Sequence, residues 1–295
     1  MAMKVEVRKP LDYAVNRPPI WCPGCGDYGI LEALRRALAE LAVPNEEVVV
    51  VSGIGCSSQL PHFMKTYGIH GIHGRAVAIA TGVKIANPRL KVVVVGGDGD
   101  GYGIGLNHMI HAARRNVGIT YVVSNNQVYG LTTGQMSPTT LRGTKTKTTP
   151  FGSVDEPVNP LALALAAGAT YVARGFSGDV PHLTQLMKSA LTHRGFALVD
   201  VLSPCVTFNR VNTYDWFRAR IYRLEESGHD SSDYFQAYRK ALEWPTLDPY
   251  GKIPIGVFYK SEEKPAYEEE LLKLIGRAPV EAELQPREVL KLLER

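Results

Sequence analysis

Short runs of β-branched residues alternate along the chain with longer segments in which apolar residues recur at helical spacing. Runs that are apolar throughout and end in glycine or polar residues are typical of strands buried on both faces of a parallel sheet. The alternation predicts an α/β fold, a mostly parallel sheet with helices on both faces. Strands are predicted at residues 48–52, 91–95, 118–124, 170–173, 196–202 and 253–259, helices at residues 30–41, 104–115, 161–167, 181–193, 214–226 and 234–243, and amphipathic segments at residues 268–275 and 287–295.

A glycine-rich turn follows the predicted strand 91–95 and carries Asp98 just past its carboxyl end. The next strand leads into Asn126, so we expect Asp98 and Asn126 side by side at the carboxyl edge, where open α/β sheets bind ligands. Carboxylate, amide and backbone carbonyl oxygens suit Mg²⁺, which shares its coordination shell with substrate phosphates. The alternative is that Asp98 caps a helix and Asn126 forms a turn.

The span from Asp98 to Asn126 resembles the thiamine diphosphate signature, a Gly-Asp-Gly turn followed further along the chain by an asparagine, often doubled. The resemblance implies Mg²⁺ held by the side chains of Asp98 and Asn126 and the carbonyl of Val128, with the cofactor diphosphate completing the shell. His73 borders a glycine-opened segment that resembles the helix preceding this motif, and it is expected to face a phosphate. The residues expected to contact the cofactor are Ile54, Gly55, Cys56, Ser57, His73, Gly99, Asp100, Gly130 and Leu131.

Composition excludes several other classes of protein. With 295 residues, of which 45% are hydrophobic, the chain can bury a large core. A net charge of +4 is mild, and no lysine or arginine run is long enough to predict nucleic-acid binding. The first ten residues lack the apolar stretch of a signal peptide, and the apolar runs are shorter than a membrane span. We therefore expect a cytoplasmic protein without a nucleic-acid or membrane partner.

The four cysteines, Cys22, Cys25, Cys56 and Cys205, are best interpreted as a metal site, since disulfides are unusual in the cytosol. Cys56 and Cys205 each follow a predicted strand of the same sheet, and the Cys22–Cys25 loop can complete a four-thiolate site. Tetrahedral thiolates suit either zinc or an iron–sulfur cluster. Ligands that come singly from distant strand ends are unlike the paired knuckles of a zinc ribbon. Taken singly, Cys56 and Cys205 also fit buried, inert cysteines.

Several motifs occur together in an order typical of one enzyme family. They are Trp-Cys-Pro-Gly-Cys-Gly from Trp21, Gly-Ile-Gly-Cys-Ser from Gly53, the Gly-Asp-Gly-Asp turn at Asp98, Asn-Asn-Gln-Val-Tyr-Gly-Leu-Thr from Asn125, the Gly134-Gln135 pair and the late Cys205. From Trp21 to about Tyr259 the chain resembles the β subunit of a 2-oxoacid:ferredoxin oxidoreductase. The resemblance implies one [4Fe-4S] cluster on Cys22, Cys25, Cys56 and Cys205, next to thiamine diphosphate. It also implies oxidative decarboxylation of a 2-oxoacid with coenzyme A, giving acyl-CoA, CO₂ and electrons for ferredoxin.

The same resemblance implies a partner. In most thiamine enzymes a glutamate on a second domain activates the cofactor, and this chain has room for only one thiamine-type domain. We therefore expect an α (or fused γ–α) subunit to supply that glutamate, and the chain to be inactive alone. The expected organisation is an N-terminal arm at residues 1–20, a cofactor and cluster domain at residues 21–212, and a C-terminal helical extension at residues 213–295 that packs on the core or the partner.

Two positions bear on substrate choice. Pyruvate-specific relatives commonly have asparagine in place of Leu131, and several 2-oxoglutarate users have lysine in place of Thr133. We therefore expect broad specificity that includes pyruvate and 2-oxoglutarate. For the basic, threonine-rich residues 142–147, a solvated loop, an active-site lid and a partner-docking strip all remain open.

Two other functions also remain open. One is a non-redox thiamine diphosphate decarboxylase or carboligase with a structural zinc. The other is a non-catalytic electron-transfer subunit that binds a cluster but no thiamine.

Overall fold

The computed structural model describes residues 7–282. Its strands are β1 Val48–Ser52, β2 Tyr67–His70, β3 Lys91–Gly97, β4 Ile119–Asn125, β5 Val128–Tyr129, β6 Gln135–Met136, β7 Tyr171–Phe176, β8 Ala197–Leu202, β9 Ile221–Arg223 and β10 Ile253–Lys260. Eight of them form one sheet in the order β2-β1-β3-β4-β8-β7-β10-β9, and β5 and β6 form a separate ribbon. Neighbours in the large sheet are parallel except for β7 and β10. The predicted mostly parallel sheet is confirmed.

Helices cover both faces of this sheet. They are α1 Asp27–Glu40, α2 Ala76–Ala86, α3 Leu106–Arg115, α4 Pro160–Ala166, α5 Val180–Thr192, α6 Tyr214–Arg218, α7 Tyr234–Leu242 and α8 Tyr267–Ile275. Successive strand residues point to opposite faces, so Val93 and Val95 pack in the core shared with α1 and α5. Val92 and Val94 pack in the opposite core, with α2, α3, α4 and α7. Within the described residues, no helix has the length and apolar character needed to cross a bilayer.

The starts of α4 and α5 follow directly from the local sequence. The side chain of Asn159 accepts a hydrogen bond from the amide of Ala162 at 3.1 Å, and that of Asp179 accepts one from His182 at 3.2 Å. In each helix a proline stands within the first two positions, where its missing N–H costs nothing. These caps fix where the two helices begin.

Most predicted elements occur with shifts of a few residues at their ends, but one predicted helix is wrong, and strands β2, β5 and β6 were not predicted. The predicted helix 214–226 is wrong, because α6 ends at Arg218 and the chain then adds edge strand β9 beside β10. Strand β2 was not predicted, since it is short and mostly exposed and lacks a buried apolar face. The predicted amphipathic segment 287–295 lies outside the described residues.

The two terminal segments pack on the core. In the N-terminal arm, Tyr13 is fully buried, and its hydroxyl contacts the carbonyls of Leu38, at 3.1 Å, and Val43. The C-terminal segment is not wholly helical, because β9 and β10 extend the main sheet. Its Trp244 and Phe217 pack against Leu141 of the loop that follows β6. The division of the chain after residues 20 and 212 stays a prediction.

Candidate functional site

An open cavity of about 460 Å³ lies at the carboxyl ends of β1, β3 and β4. These strands are adjacent and parallel in the sheet, as the sequence argument requires. Among the lining residues are all of those expected to contact the cofactor or Mg²⁺: Ile54, Gly55, Cys56, Ser57, His73, Asp98, Gly99, Asp100, Asn126, Val128, Gly130 and Leu131. Gly97, Tyr129 and Thr132 also line the cavity and were not predicted. The structure therefore brings the predicted residues together.

Asp98 follows β3 directly and is 1% exposed. Its Oδ2 lies 2.5 Å from the hydroxyls of both Ser137 and Thr139, neither of which was predicted. Thr139 Oγ1 also lies 2.9 Å from Asn125 Oδ1, so these two hydroxyls supply only two protons for three oxygen–oxygen contacts. Burial raises the pKa of Asp98 to about 6. A bound cation would favour the ionised carboxylate.

Asn126 and Val128 form the neighbouring wall. The intervening Gln127 is buried and has a left-handed backbone, with φ of 59°. This turn lets both Asn126 and Val128 line the cavity. Asn126 Oδ1 accepts a hydrogen bond from the Val128 amide at 3.1 Å, and the Asn126 carbonyl accepts one from Asn209 at 2.9 Å. Because an amide oxygen has two lone pairs, Asn126 Oδ1 keeps one for a cation.

Asp100 holds the cavity walls in place. Its Oδ1 accepts hydrogen bonds from the amides of Ile54, at 3.2 Å, and Gly74, at 2.7 Å, and lies 2.8 Å from His73 Nδ1. A Cβ on Gly53 would lie 1.9 Å from Asp100 Oδ2, so only glycine fits beside this carboxylate. Asp100 thus ties the turn after β3 to the loop after β1 and to the start of the segment leading into α2.

Two of the four thiols, those of Cys56 and Cys205, lie beside the cavity. A Cβ on Gly130, which lines the cavity, would lie 3.8 Å from the sulfur of Cys56 and 3.7 Å from that of Cys205. Cys22 is exposed, and Cys25, Cys56 and Cys205 are partly buried. Burial, followed by the charge of Asp27, raises the pKa of Cys56 to about 11 and that of Cys25 well above its ordinary range. Metal ions would have to displace these protons on binding.

Asp27, at the start of α1, is a buried carboxylate that sequence reasoning missed. Its Oδ1 accepts a hydrogen bond from Ser124 at 2.7 Å, and its Oδ2 lies 3.5 Å from the sulfur of Cys25. Burial raises its pKa. Nothing in the local sequence distinguishes Asp27 from a helix N-terminal acid, which would ordinarily be exposed. Its contact with Ser124 becomes visible only once α1 is packed on β4.

The thiol arrangement bears on the choice between zinc and a cluster. In the described part of the chain, no three or more His, Cys, Asp or Glu side chains are arranged to hold a single ion. One zinc needs its thiolate sulfurs about 2.3 Å from a common centre. Four free cysteines supply the thiolates that either zinc or an iron–sulfur cluster would take.

Leu131 and Thr133, the two residues expected to select the substrate, line different cavities. Leu131 lines the cavity and is 54% exposed, so it is open to a substrate or partner. Thr133 lines a separate groove of about 810 Å³ that also contains Lys145, Lys147 and Arg210. Its hydroxyl accepts a hydrogen bond from the ammonium of Lys147 at 2.8 Å. The role of Thr133 in substrate choice stays a prediction, and a lysine from elsewhere in the chain already lies beside it.

The fold and cavity define the class of protein as a thiamine diphosphate enzyme. Residues 53–201 match the family described as thiamine pyrophosphate enzyme, C-terminal TPP binding domain. Residues 205–275 match a second family, described as the C terminal of the pyruvate ferredoxin oxidoreductase beta subunit.

Similar proteins narrow the class. The chain is 49% identical to the 2-oxoacid:ferredoxin oxidoreductase 1 subunit beta of Aeropyrum pernix, over 85% of this chain and 80% of that protein. It is 49% identical to the subunit beta of a Sulfolobus 2-oxoacid:ferredoxin oxidoreductase, over 85% of each chain. A solved structure of 2-oxoglutarate:ferredoxin oxidoreductase from Magnetococcus marinus, with 2-oxoglutarate, coenzyme A and succinyl-CoA bound, matches with a TM-score of 0.89 and 43% identity, covering 98% of this chain and 97% of that one.

The chain belongs to the family of 2-oxoacid:ferredoxin oxidoreductase β subunits. It is thus a subunit of an oxidoreductase and acts with a partner subunit.

The buried carboxyl of Asp98 leads to a prediction about stability. In the unfolded chain this group ionises above about pH 3.9, whereas in the folded, cation-free protein it ionises only near pH 6. Ionisation of the Asp98 carboxyl therefore lowers the free energy of unfolding. This destabilisation is absent at low pH and reaches its full size above about pH 7. Asp98→Asn should raise the stability of the magnesium- and cofactor-depleted protein by about 3 kcal/mol at pH 8 and about half of that at pH 5.

Thermal unfolding of the depleted complex at several pH values measures this difference. A gain that does not depend on pH would contradict the role assigned to the Asp98 charge. Asp155→Asn, a change at an exposed carboxylate that does not line the cavity, is the control.

Proposed function

We propose that this chain binds the diphosphate of thiamine diphosphate through Mg²⁺ held by Asp98, Asn126 and the Val128 carbonyl, and that Cys22, Cys25, Cys56 and Cys205 carry one [4Fe-4S] cluster. One observation carries the proposal. Gly130 lines the cavity, and the thiols of Cys56 and Cys205 lie within 4 Å of its Cβ position. The cavity for the cofactor and the thiols for the cluster therefore share a wall.

The residues of the cavity have distinct tasks. The Asp98 charge and the oxygens of Asn126 and Val128 would hold Mg²⁺, which would position the diphosphate. Because both of its hydroxyl partners lie at Oδ2, Asp98 retains Oδ1 for the cation. Asp100 does not bind the cation in this scheme but keeps Ile54 and His73 at the cavity wall. None of these groups acts as a general base.

When bound, thiamine diphosphate supplies the carbanion chemistry needed to decarboxylate a 2-oxoacid, and the cluster accepts the electrons singly. The glutamate that activates the cofactor in most thiamine enzymes is expected from the α subunit. Support comes from the cavity itself, since its described lining residues include aspartates but no glutamate. The chain alone should therefore be inactive.

The overall reaction is the coenzyme A-dependent oxidative decarboxylation of 2-oxoacids to acyl-CoA and CO₂, with ferredoxin as the electron acceptor. The named activities of the relatives and the coenzyme A in the Magnetococcus marinus structure support this assignment. A broad range that includes pyruvate and 2-oxoglutarate agrees with the apolar, half-exposed Leu131 that lines the cavity.

The two alternatives are less well supported. A non-redox decarboxylase or carboligase with structural zinc is at odds with the relatives, which are named as subunits of 2-oxoacid:ferredoxin oxidoreductases. An electron-transfer subunit without thiamine is at odds with the match of residues 53–201 to a thiamine pyrophosphate-binding domain.

Asp98→Ala tests the Mg²⁺ site. It removes the one charged ligand, so the purified α–β complex should lose most of its thiamine diphosphate while keeping its iron and its fold. Thiamine released on denaturation, iron content and circular dichroism measure the three quantities. Normal thiamine occupancy in this variant would exclude Asp98 as a ligand of the cation.

Serine substitutions test the cluster. Replacing any one of Cys22, Cys25, Cys56 or Cys205 by serine should bleach the brown chromophore or convert the cluster, because an alkoxide is a poor substitute for a thiolate on iron. The cluster is measured by its absorbance at about 400 nm and by chemical analysis of iron and sulfide. A cysteine whose variant keeps full iron content and low-potential reduction does not belong to the set.

Leu131→Asn tests substrate selection. A methylene in an apolar pocket contributes about 1–3 kcal/mol to discrimination, so kcat/KM should shift toward pyruvate and away from larger 2-oxoacids by roughly ten- to a hundredfold at most. Leu131→Met, which keeps an apolar side chain of similar volume, is the matched control and should preserve the ranking. If Leu131→Asn also preserves the ranking of pyruvate, 2-oxobutyrate and 2-oxoglutarate, this loop does not select the substrate.

A further inference from the structure

A chain of buried polar side chains runs from Asp98 into the interior of the sheet. Thr139 Oγ1 bridges Asp98 Oδ2, at 2.5 Å, and Asn125 Oδ1, at 2.9 Å. The Asn125 amide donates a hydrogen bond to Asp200 Oδ1 at 3.0 Å. Each of these four residues is at most 2% exposed. Since one hydroxyl proton serves both contacts of Thr139, the position of this side chain depends on the carboxylate and the amide together.

The far end of the chain is a buried ion pair. Arg174 Nε donates to Asp200 Oδ2 at 3.1 Å, and the Tyr102 hydroxyl donates to Asp200 Oδ1 at 2.9 Å. The side chains of Arg174 and Asp200 are both 0% exposed. Replacing a buried ion pair with apolar residues is often neutral or stabilising, so stability alone is a weak explanation for this pair. The hydrogen bonds that connect this ion pair to Asp98 in the cofactor cavity offer a better explanation.

Arg174 is enclosed by aromatic rings from the C-terminal segment. Its guanidinium lies 4.9 Å from the ring centroid of Trp244 and 5.6 Å from that of Phe258. Both terminal nitrogens of Arg174 are buried without a hydrogen-bond partner, so the ring faces are the contacts that hold them. The C-terminal segment thereby holds Arg174 in place, and Arg174 in turn holds Asp200.

We propose that Thr139, Asn125, Asp200 and Arg174 are positioning residues for the Asp98 carboxylate, and that the C-terminal segment supports cofactor binding through them. The proposal rests on the proposed function, in which Asp98 holds Mg²⁺. Two short contacts at Oδ2 fix the carboxylate rotamer and leave Oδ1 for the cation. A ligand held this way loses no rotamer freedom when the cation binds, whereas a free carboxylate does.

Thr139→Val tests the first link, because it removes the hydroxyl and keeps the branched shape. A hydrogen bond to a charged group is worth on the order of a ten- to hundredfold change in an equilibrium constant, so thiamine diphosphate should bind that much more weakly at fixed Mg²⁺. The Mg²⁺ concentration needed for half-maximal binding should rise as well. Thr139→Ser, which keeps the hydroxyl, should restore most of the affinity.

Thr120→Val is the matched control. Thr120 is also a buried threonine, on β4 like Asn125, but its hydroxyl donates only to the Ala190 carbonyl, 3.2 Å away at the other end of the strand. It should lower thermal stability without changing the affinity for thiamine diphosphate. Binding is followed by titrating the cofactor into the depleted α–β complex at several Mg²⁺ concentrations, so activity is not the readout. Equal losses of affinity in Thr120→Val and Thr139→Val would overturn the proposal.

Asp200→Asn tests the rest of the chain and keeps the shape of the side chain. It should weaken cofactor binding although Asp200 does not line the cavity. Combined with Thr139→Val it should add little, since residues that act through one chain of contacts are not additive. Fully additive losses of affinity would mean that Asp200 acts independently of Thr139. A loss of thermal stability with unchanged affinity would mean that Arg174 and Asp200 serve stability alone, and either outcome overturns the proposal.

Asp98→Ala separates failure of this inference from failure of the proposed function. If Asp98→Ala loses the cofactor while Thr139→Val and Asp200→Asn bind it normally, the Mg²⁺ site stands and the positioning network is wrong. If Asp98→Ala retains the cofactor, the proposed function fails first and this inference fails with it.

Discussion

A carboxylate buried at the end of β3 constrains the rest of this site. Asp98 is 1% exposed and receives no ion pair from any described basic side chain, so its ionised form is costly until a cation arrives. Two hydroxyls from the loop that follows β6 reduce that cost without removing it. The site is therefore incomplete in a specific sense: it holds a negative charge that the fold itself does not neutralise. That property, more than the shape of the cavity, fits it to a divalent cation and its diphosphate.

A second carboxylate two residues later has the opposite role. Asp100 finds its partners inside the protein, and its Oδ1 joins the loop after β1 to the segment that leads into α2. Gly53 leaves the space this requires, since a Cβ there would lie 1.9 Å from Asp100 Oδ2. The same short turn thus supplies two aspartates with different roles. Asp98 is available to bind a ligand, whereas Asp100 is fully engaged in holding the cavity walls together. From the sequence, Asp98 was expected to hold Mg²⁺ and Asp100 to contact the cofactor, so the role of Asp100 in holding the walls was not predicted.

The sequence was sufficient where a local pattern determines geometry. Buried strand runs and right-handed crossovers bring successive strand ends to one edge, which is why Asp98, Asn126 and Cys56 were predicted to lie together. It was insufficient where contacts depend on packing. Thr139 reaches Asp98 across 41 positions and Asp27 reaches Ser124 across 97, and no periodicity marks any of these residues. The prediction of helix 214–226 is wrong for a related reason. Residues 214–226 have apolar residues at helical spacing, but residues 221–223 pair with β10 at the open edge of the sheet and form β9.

The shared wall at Gly130 links the two halves of the site. Thiols at the amino ends of the strands, or on the C-terminal segment, would lie far from the cavity and would suggest a structural metal site. Instead, Cys56 lines the cavity itself, and Cys205 follows β8, the next strand after β4 in the sheet. With no side chain at Gly130, the cavity approaches both thiols more closely than any other residue would allow. Electron transfer slows steeply with distance, whereas a structural metal gains nothing from being near a substrate. If the thiols carry a cluster, the position of Gly130 would place that cluster next to the cavity.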